Sequence, residues 1–310
     1  MRTSICTLAQ GRGDLLANLV RGLNHSRRPP GELVIAVMQD QRYELPATGF
    51  PTRQLILGSG NISRAQARNA AAAKASGDLL IFLDADCIPS PTLIEDYTLA
   101  AALDDGVLMG EVGYLPKGAT DEGIDYTRFE REAVKHPERA GPPPGMVGHC
   151  GDYRGFWSLN FALPKTIFKN LGGFDERYLG YGGEDADFGR TLAEKGVPLW
   201  WARGAKVYHQ HHHIQIPPVH RLDGVLANAA VFEDKWGEPT MENWLGAFRL
   251  MGLIERKRTG FRKLREPGEA ELAVARLQAD QPYASSALAL EWLEERAAAD
   301  EARAPRMASA

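Results

Sequence analysis

An apolar run that ends in two carboxylates, LLIFLDADCIP at 79–89, constrains the fold of this chain more than any other stretch. The run is continuous rather than alternating, which is typical of a strand covered on both faces of a parallel sheet. Because open α/β sheets bind ligands at the carboxyl ends of their strands, Asp84 and Asp86 are predicted to lie in a ligand site. A hard divalent cation would relieve the repulsion between two such carboxylates. A turn in which Asp86 merely caps the next helix is the alternative.

The composition is that of a globular protein and excludes several other classes. The 310 residues suffice for one large α/β domain with an appendage, and the net charge of −4 gives no general case for nucleic acid as a partner. Cys6, Cys87 and Cys150 are widely separated, which indicates free thiols in a reducing compartment. No signal peptide is evident, and no apolar stretch approaches the ~20 residues of a spanning helix. A cytoplasmic location is therefore expected.

Strands and helices alternate through the first half of the chain, which predicts right-handed βαβ units and a mostly parallel sheet. Strands are predicted at 3–8, 32–38, 53–57, 79–83, 106–114, 156–163 and 199–208. Helices are predicted between several of these strands, including one that begins near residue 184. The remainder is predicted to be helical, at 222–236, at 241–263 and from about 269 into a frayed end.

Three stretches, in a fixed order, carry a family resemblance. They are GDLLIFLDADCIPSP, then GGFDERYLGYGGEDADFGRTLAEKG, then AKVYHQ. The chain resembles glycosyltransferases of the GT-A fold, of the large family 2 type. Its second half also resembles the carboxyl-terminal part of the β1,4-galactosyltransferases and of chondroitin-type polymerases. The resemblance covers roughly residues 1–215.

The resemblance implies an α/β architecture with a Rossmann-like, mostly parallel sheet flanked by helices. Residues 1–110 would form the nucleotide-sugar-binding half and residues 111–215 the acceptor and catalytic half. Residues 216–310 carry no match and are expected to form a helical C-terminal extension. The acceptor is expected to be set largely by residues 115–156 and by this extension.

A metal site is implied around the Asp-Ala-Asp motif. Asp86 is predicted to bind the cation directly, and Asp84 to bind it or to reach the ribose or a metal-bound water, with Ala85 between them at the donor. By resemblance to the Tyr-His-Gln of the polymerases, His209 completes the site, with His211 as second choice. A mixed carboxylate and imidazole set suits Mn²⁺ as well as Mg²⁺. A solvated cluster of histidines is the alternative for His209.

Four further residues are predicted to contact the donor. In the resembled fold, an acid at the end of the second strand hydrogen-bonds the nucleotide base, and Asp40 holds that position here. Gln10 and Arg12 follow the first strand and are expected to line the nucleotide pocket. Arg68 lies on the helix before the Asp-Ala-Asp strand and could meet the base or the diphosphate. A surface arginine without such a role is an equal alternative for Arg68.

The Gly-Gly-Glu-Asp stretch is predicted to bind the acceptor and to supply the base. In the resembled families the second acid takes the proton of the attacking hydroxyl, so Asp185 is the predicted general base. Glu184 would bind the acceptor or hold the loop, and Gly182 and Gly183 allow close approach of a sugar. Tyr181, where the family often has Trp, can stack on a sugar face. The alternative is that the acids only favour the N-terminus of the following helix, and both can hold.

The sequence therefore predicts a metal-dependent, inverting glycosyltransferase that moves a hexose from a nucleotide sugar, with a UDP-sugar favoured, to a hydroxyl of a sugar, glycan or small molecule. A sugar nucleotidyltransferase is one alternative, although 9–13 is a poor version of the Gly-rich basic loop that it would carry. A non-catalytic sugar-binding protein of the same fold is the other.

The segment 244–265 has apolar residues at near-helical spacing and a dense basic face. One interpretation is peripheral contact with an anionic surface at the inner face of a membrane. The favoured interpretation is a helix packed on the catalytic domain with its charges in water, because the apolar face is as large as a packing helix needs.

Overall fold

The computed structural model describes residues 1–60, 62–139, 141–143 and 145–303, which form a nine-stranded sheet with helices on both faces and a C-terminal extension. The strands are β1 Thr3–Ala9, β2 Glu32–Val37, β3 Thr52–Ile56, β4 Leu79–Leu83, β5 Cys87–Pro89, β6 Val107–Tyr114, β7 Val147–His149, β8 Asn160–Pro164, β9 Leu199–His209, β10 Ile254–Arg256 and β11 Phe261–Lys263. The helices are α1 Gly13–Asn24, α2 Arg64–Lys74, α3 Leu93–Leu103, α4 Tyr126–Glu132, α5 Lys165–Leu171, α6 Glu184–Glu194, α7 Leu222–Trp236, α8 Glu242–Leu250, α9 Glu269–Ala275 and α10 Ser286–Arg303.

The main sheet has the order β3-β2-β1-β4-β8-β6-β9-β5, with β7 beside β9. The four strands β3, β2, β1 and β4 run parallel, while β8 is antiparallel to both β4 and β6. Helix α1 connects β1 to β2 and α2 connects β3 to β4, as βαβ units require, whereas the connection from β2 to β3 contains no helix. The predicted α/β fold with a sheet flanked by helices is thereby confirmed.

The central strand β4 is buried on both faces, which explains its continuous apolar run. Leu79 and Ile81 belong to the core on the α1 and α3 side, whereas Leu80 and Phe82 belong to the core on the α2, α5 and α6 side. Side chains alternate between the faces of a strand, so each face needs its own apolar set. The strand ends at Leu83, directly before Asp84.

The register of β9 brings a histidine to the Asp-Ala-Asp turn. His209 pairs with Cys87 of β5 on one side and with Tyr114 of β6 on the other. The backbone N–H of Gln210 donates to the carbonyl oxygen of Asp86 at 2.8 Å. The end of β9 and the turn after β4, which are more than one hundred residues apart in sequence, are thus fixed side by side.

An aromatic cluster fixes the position of α6. Phe188 of α6 stacks on Phe174 with ring centroids 4.3 Å apart, and Phe82 stacks on Phe161 at 4.6 Å in the same core. Asn69 of α2 holds the Phe174 backbone through two hydrogen bonds of 2.9 Å. The Gly-Gly-Phe-Asp-Glu motif therefore fixes α6 in position relative to α2.

The C-terminal extension departs from the prediction in two segments. The one further helix predicted from about residue 269 is instead two helices, α9 and α10, separated by residues 276–285. The helix predicted at 222–236 is confirmed as α7, but the single helix predicted at 241–263 is wrong. It ends after Leu250, where Gly252 adopts a left-handed φ of +66°, and β10 and β11 follow as an antiparallel hairpin turning near Gly260. Residue spacing alone does not separate a long helix from a helix followed by a short buried strand. The predicted frayed end at 304–310 lies outside the described residues.

Apolar residues of α7, α8 and β10 face inward. Leu245, Phe248 and Ile254 are buried in a core that also includes Val225 of α7. The predicted basic face is thus carried by a helix and a hairpin that pack on the rest of the extension, whereas the favoured interpretation has a single helix packed on the catalytic domain. Within the residues that the structure describes, no helix combines the length and the apolar character needed to cross a membrane.

A buried carboxylate connects the extension to helix α6. Asp187 of α6 is 2% exposed and accepts hydrogen bonds from Trp236 Nε1 at 2.8 Å and from Lys235 Nζ at 2.9 Å, both at the end of α7. The hydroxyl of Tyr178 donates to the same carboxylate at 3.1 Å. A carboxylate so deeply buried is stable only with such partners.

We expect Asp187→Ala to lower the free energy of unfolding by about 3 kcal/mol, because Lys235 and Trp236 lose a buried acceptor. Urea denaturation followed by circular dichroism measures the change. Asp234→Ala, at an exposed position of α7, is the matched control and should change the free energy by less than about 0.5 kcal/mol. Equal effects of the two variants would contradict this anchoring role.

Candidate active site

Asp86 lies at the centre of a group of basic side chains. Its Oδ2 is 2.9 Å from Arg12 Nη1 and 3.1 Å from His212 Nε2, and its Oδ1 is 3.5 Å from His209 Nε2. Burial by itself would raise the pKa of Asp86, but the interactions with His209, His212 and Arg12 outweigh it and hold that pKa well below its usual range. Asp86 is therefore ionised at neutral pH.

The residues around Asp86 fit a divalent cation. One ligand atom each from Asp86, His209 and His212 lies within 4.8 Å of the others. Burial lowers the pKa of His209, which favours the neutral imidazole that binds metals. Its Nδ1 is buried without a hydrogen-bond partner among the described residues. A carboxylate and two imidazoles at these separations can hold Mn²⁺ or a similar ion.

The structure brings His212, rather than the second-choice His211, to this cluster. Extended strands place residues 209 and 211 on one side, but β9 ends at His209. Gln210 is then fixed to α1 by its side chain, which donates to the carbonyl oxygen of Leu15 at 3.0 Å. The His211 ring instead lies 3.1 Å from the carbonyl oxygen of Ala279 in the extension.

Arg68 joins the two acidic motifs. Its guanidinium nitrogens lie 3.3 Å from Asp84, 3.4 Å from Glu184 and 3.7 Å from Asp185. The side chain is buried, so the surface alternative is wrong, and its charge is directed to carboxylates. Burial raises the pKa of Asp84 to about 6, although Arg68 opposes that shift. Arg68 thus balances the charge of three carboxylates that would otherwise repel one another.

The Gly-Gly turn before α6 requires glycine at both positions. Gly182 and Gly183 adopt φ values of +81° and +89°, in the left-handed region that other residues avoid. A Cβ added to Gly182 would lie 2.6 Å from the ring of Trp244 and 2.7 Å from the sulfur of Met241. The turn is therefore packed directly against α8 of the extension.

The two acids that follow the turn differ in exposure. Glu184 is buried beside Arg68, whereas the side chain of Asp185 is 36% exposed. The backbone N–H of Ser158 donates to Asp185 Oδ2 at 3.2 Å and fixes its orientation. Both acids lie in the first turn of α6, where the helix dipole favours negative charge. Asp185 is thus an oriented carboxylate that a ligand can reach.

Tyr181 lies between two side chains that the sequence analysis did not select. Its ring is stacked on Trp244 at a centroid distance of 5.4 Å, and the guanidinium of Arg64 lies 4.6 Å from the ring centroid. Arg64 precedes Arg68 by one helical turn, a spacing that places both on one face of α2 and could have indicated a shared site. No sequence signal linked Trp244 to Tyr181.

Two cavities meet at the acids of α6. The first cavity, of about 630 Å³, is lined by residues that include Gln10, Arg12, Arg68, Asp84, Ala85, Asp86 and His212. The second cavity, of about 600 Å³, is lined by residues that include Tyr114, His136, Trp157, Gly182, Gly183, Trp244 and Tyr283. Both are lined by Arg64, Tyr181, Glu184, Asp185 and His209. Asp185 therefore contacts both spaces.

Asp40 is the predicted donor residue that the structure leaves outside the first cavity. It follows β2 at an exposed position and accepts hydrogen bonds from the backbone N–H of Ser59 at 2.9 Å and from its hydroxyl at 2.6 Å. These hydrogen bonds lower the pKa of the Asp40 carboxyl. Among the described residues that line the first cavity, Gln10, Gly11 and Arg12 come from the neighbouring loop.

Two family-wide sequence patterns match consecutive parts of this chain. The pattern described as glycosyl transferase family 2 matches residues 49–144. The pattern described as the N-terminal domain of galactosyltransferase matches residues 147–213, which include α6 and β9. The first region contains the Asp-Ala-Asp turn, and the second contains the Gly-Gly-Glu-Asp turn and His209.

Relatives and solved structures agree with these matches. Validoxylamine A glucosyltransferase of Streptomyces hygroscopicus subsp. jinggangensis (strain 5008) is 30% identical over 169 residues, 48% of this chain and 40% of that protein. Chondroitin synthase of Escherichia coli is 26% identical over 165 residues, 46% of this chain and 24% of that protein. A crystal structure of GalNAc-T7 with UDP, GalNAc and Mn²⁺ superposes with a TM-score of 0.53 at 15% identity, over 99% of this chain and 58% of that one.

The fold and the sequence matches are those of the GT-A glycosyltransferases. The chain is similar to family 2 glycosyltransferases over residues 49–144 and to galactosyltransferases over residues 147–213, in agreement with the resemblance stated from its sequence. The chain spans less than half the length of these two curated relatives.

We expect Arg68→Met to lower the free energy of unfolding by about 3 kcal/mol, because Asp84, Glu184 and Asp185 then lack their buried counter-charge. Arg53→Met, at an exposed position of β3, should change it by less than about 0.5 kcal/mol. Urea denaturation of both variants measures the difference.

A double-mutant cycle with Glu184→Gln tests the cause of this destabilisation. In the Arg68→Met background, Glu184→Gln should be at least about 1 kcal/mol less destabilising than in the unaltered chain. Additive effects would show that Arg68 acts through packing alone.

Proposed function

We propose that this protein is a metal-dependent, inverting glycosyltransferase that moves a hexose from a UDP-sugar to the hydroxyl of an acceptor. One observation carries the proposal: Asp185 lies on the wall common to both cavities, and the first of these contains the Asp86, His209 and His212 cluster. A donor in the first cavity and an acceptor in the second would meet at Asp185.

The first cavity suits a nucleoside diphosphate sugar. Its volume of about 630 Å³ is in the range of small-molecule sites. Arg12, Arg64 and a cation bound by Asp86, His209 and His212 would supply positive charge for a diphosphate. A bound divalent cation would act as a Lewis acid that stabilises the charge on the departing diphosphate. Imidazole ligands favour Mn²⁺ over Mg²⁺. Support for UDP comes from the similar fold of GalNAc-T7, whose structure contains UDP, GalNAc and Mn²⁺.

The chemistry is a single displacement at the anomeric carbon of the donor. The acceptor oxygen attacks this carbon from the face opposite the diphosphate and forms the new glycosidic bond. The bond between the carbon and the diphosphate oxygen breaks, and its electron pair leaves with UDP. Asp185 accepts the proton of the acceptor hydroxyl. One such displacement inverts the configuration of the sugar.

The surrounding residues hold Asp185 ready for this step. The N–H of Ser158 orients one carboxylate oxygen, and the guanidinium of Arg68 lies 3.7 Å from the other. Tyr181 and Trp244 both line the second cavity, where aromatic side chains can contact a sugar ring.

The proposal is tested by the release of UDP from a panel of UDP-hexoses with Mn²⁺, Mg²⁺ or a chelator. We expect metal-dependent hydrolysis of one donor, and we expect Asp185→Asn to lower its kcat by about 10²- to 10⁴-fold with little change in the KM for the donor. The amide cannot accept the proton, whereas Asp86, His209, His212 and the other residues proposed to contact the donor stay unchanged.

Glu194→Gln, at the other end of α6, is the control and should leave kcat unchanged because its side chain is 60% exposed. An unchanged kcat for Asp185→Asn would refute the role of Asp185 as base. Release of pyrophosphate from a nucleoside triphosphate, with no hydrolysis of any UDP-sugar, would indicate a sugar nucleotidyltransferase instead.

Three histidine variants test the metal ligands. We expect His209→Ala and His212→Ala to weaken Mn²⁺ binding in the presence of UDP by at least about tenfold, because each removes an imidazole from the cluster. His211→Ala should leave the affinity unchanged, since its ring faces the extension. Titration followed by electron paramagnetic resonance measures free Mn²⁺. Loss of affinity in His211→Ala alone would reverse the assignment of the ligands.

A further inference from the structure

A third cavity opens beside the second one, in the C-terminal extension. Its volume is about 570 Å³. We call it the apolar cleft and define it by Val134, Ile216, Leu277, Tyr283, Leu288 and Trp292. Its walls come from the segment after α4, the segment that contains Ile216, the end of α9, the segment between α9 and α10, and the first turns of α10. None of the described residues that line it carries a charge.

The cleft gathers apolar side chains that water contacts. Leu277 is 62% exposed, Leu288 53%, Val134 39% and Trp292 38%. Gln278, a polar residue of the lining, is fully engaged, because its amide exchanges hydrogen bonds of 2.9 and 3.0 Å with the Ser285 backbone. A concentration of exposed apolar surface in one concave site is typical of a ligand site.

The apolar cleft adjoins the second cavity. Ile216 and Tyr283 line both spaces. The Tyr283 ring packs on His136 at a centroid distance of 4.6 Å and on Tyr114 at 5.8 Å, within the second cavity. A molecule that lies across Tyr283 would therefore have one end in each space. One end would meet mainly apolar groups, with Gln278 and Gln281 as the polar side chains beside them, and the other would share a cavity with Asp185.

We propose that the apolar cleft binds the apolar part of the acceptor, so that the acceptor is an amphiphilic alcohol. Its hydrocarbon or ring portion fills the cleft, and its hydroxyl end reaches Asp185 in the second cavity. This inference rests on the proposed function and names the substrate class of the same site. An oligosaccharide is a poor occupant, because its hydroxyls would find no charged partner and few polar ones in the cleft.

The concave shape favours a small molecule over a second protein copy or a lipid surface. The cleft volume of about 570 Å³ lies within the range of pockets that enclose small ligands. Protein interfaces, in contrast, depend on larger and flatter areas with a polar rim.

Calorimetric titration with two acceptor analogues tests the inference without any turnover. The probes are methyl β-D-glucoside and n-octyl β-D-glucoside, the latter below its critical micelle concentration. We expect the octyl compound to bind one to one and at least about 100-fold more tightly, because its additional methylenes leave water. Leu288→Asp should remove that preference. Leu103→Asp, 62% exposed at the end of α3 and outside the cleft, should preserve it.

Equal affinities for the two probes, or an unchanged octyl preference in Leu288→Asp, would overturn the inference. Two other results would do so by assigning a different occupant. One is a dimer that Leu288→Asp converts to a monomer, and the other is binding to phosphatidylcholine vesicles without binding to the monomeric octyl compound.

The binding measurement also separates this inference from the proposed function. Octyl preference without hydrolysis of any UDP-sugar would reject the transferase and keep an amphiphile site. Hydrolysis of a UDP-sugar without octyl preference would keep the transferase and reject the amphiphilic acceptor.

Discussion

The buried charge of Arg68 is the interaction on which the site depends. Asp84 comes from the turn after β4, whereas Glu184 and Asp185 open α6, and all three approach one guanidinium. Without that cation the two motifs would repel each other in a poorly solvated space. The reach of Arg68 follows from α2 itself, whose small buried alanines let the helix lie close to the sheet. The alanine-rich sequence of α2 therefore allows Arg68 to reach the three carboxylates.

The backbone, more than the side chains, sets the geometry of the cluster formed by Asp86, His209 and His212. Antiparallel pairing of β5 with β9 places His209 opposite Cys87, and the Gln210 N–H closes the arrangement on the Asp86 carbonyl. These hydrogen bonds place the imidazole of His209 beside the Asp86 carboxylate. The short β5 strand, only three residues long, is therefore as important to the cluster as the acids before it.

The sequence predicted elements whose signals are local and missed contacts that depend on tertiary structure. The apolar run at 79–83 and the glycines before α6 each carry their own physical requirement, so both were placed correctly. The choice between His211 and His212 depended on where β9 stops, and the partners of Arg68 lie up to 117 residues away. The apolar spacing predicts a helix where the hairpin after α8 lies, because a short strand and a helical turn can share that spacing.

The contact between Gly182 and the ring of Trp244 joins two parts of the structure that are held in place differently. The Asp86 cluster lies at the ends of sheet strands, where a change in one strand disturbs its neighbours. The second cavity is lined in part by α8 and the start of α10, and α8 meets the Gly182 turn through Trp244 and Met241. Under the proposed function, a change in these C-terminal segments would alter the space for the acceptor and leave the Asp86 cluster in place, provided that a side chain still covers the glycine turn.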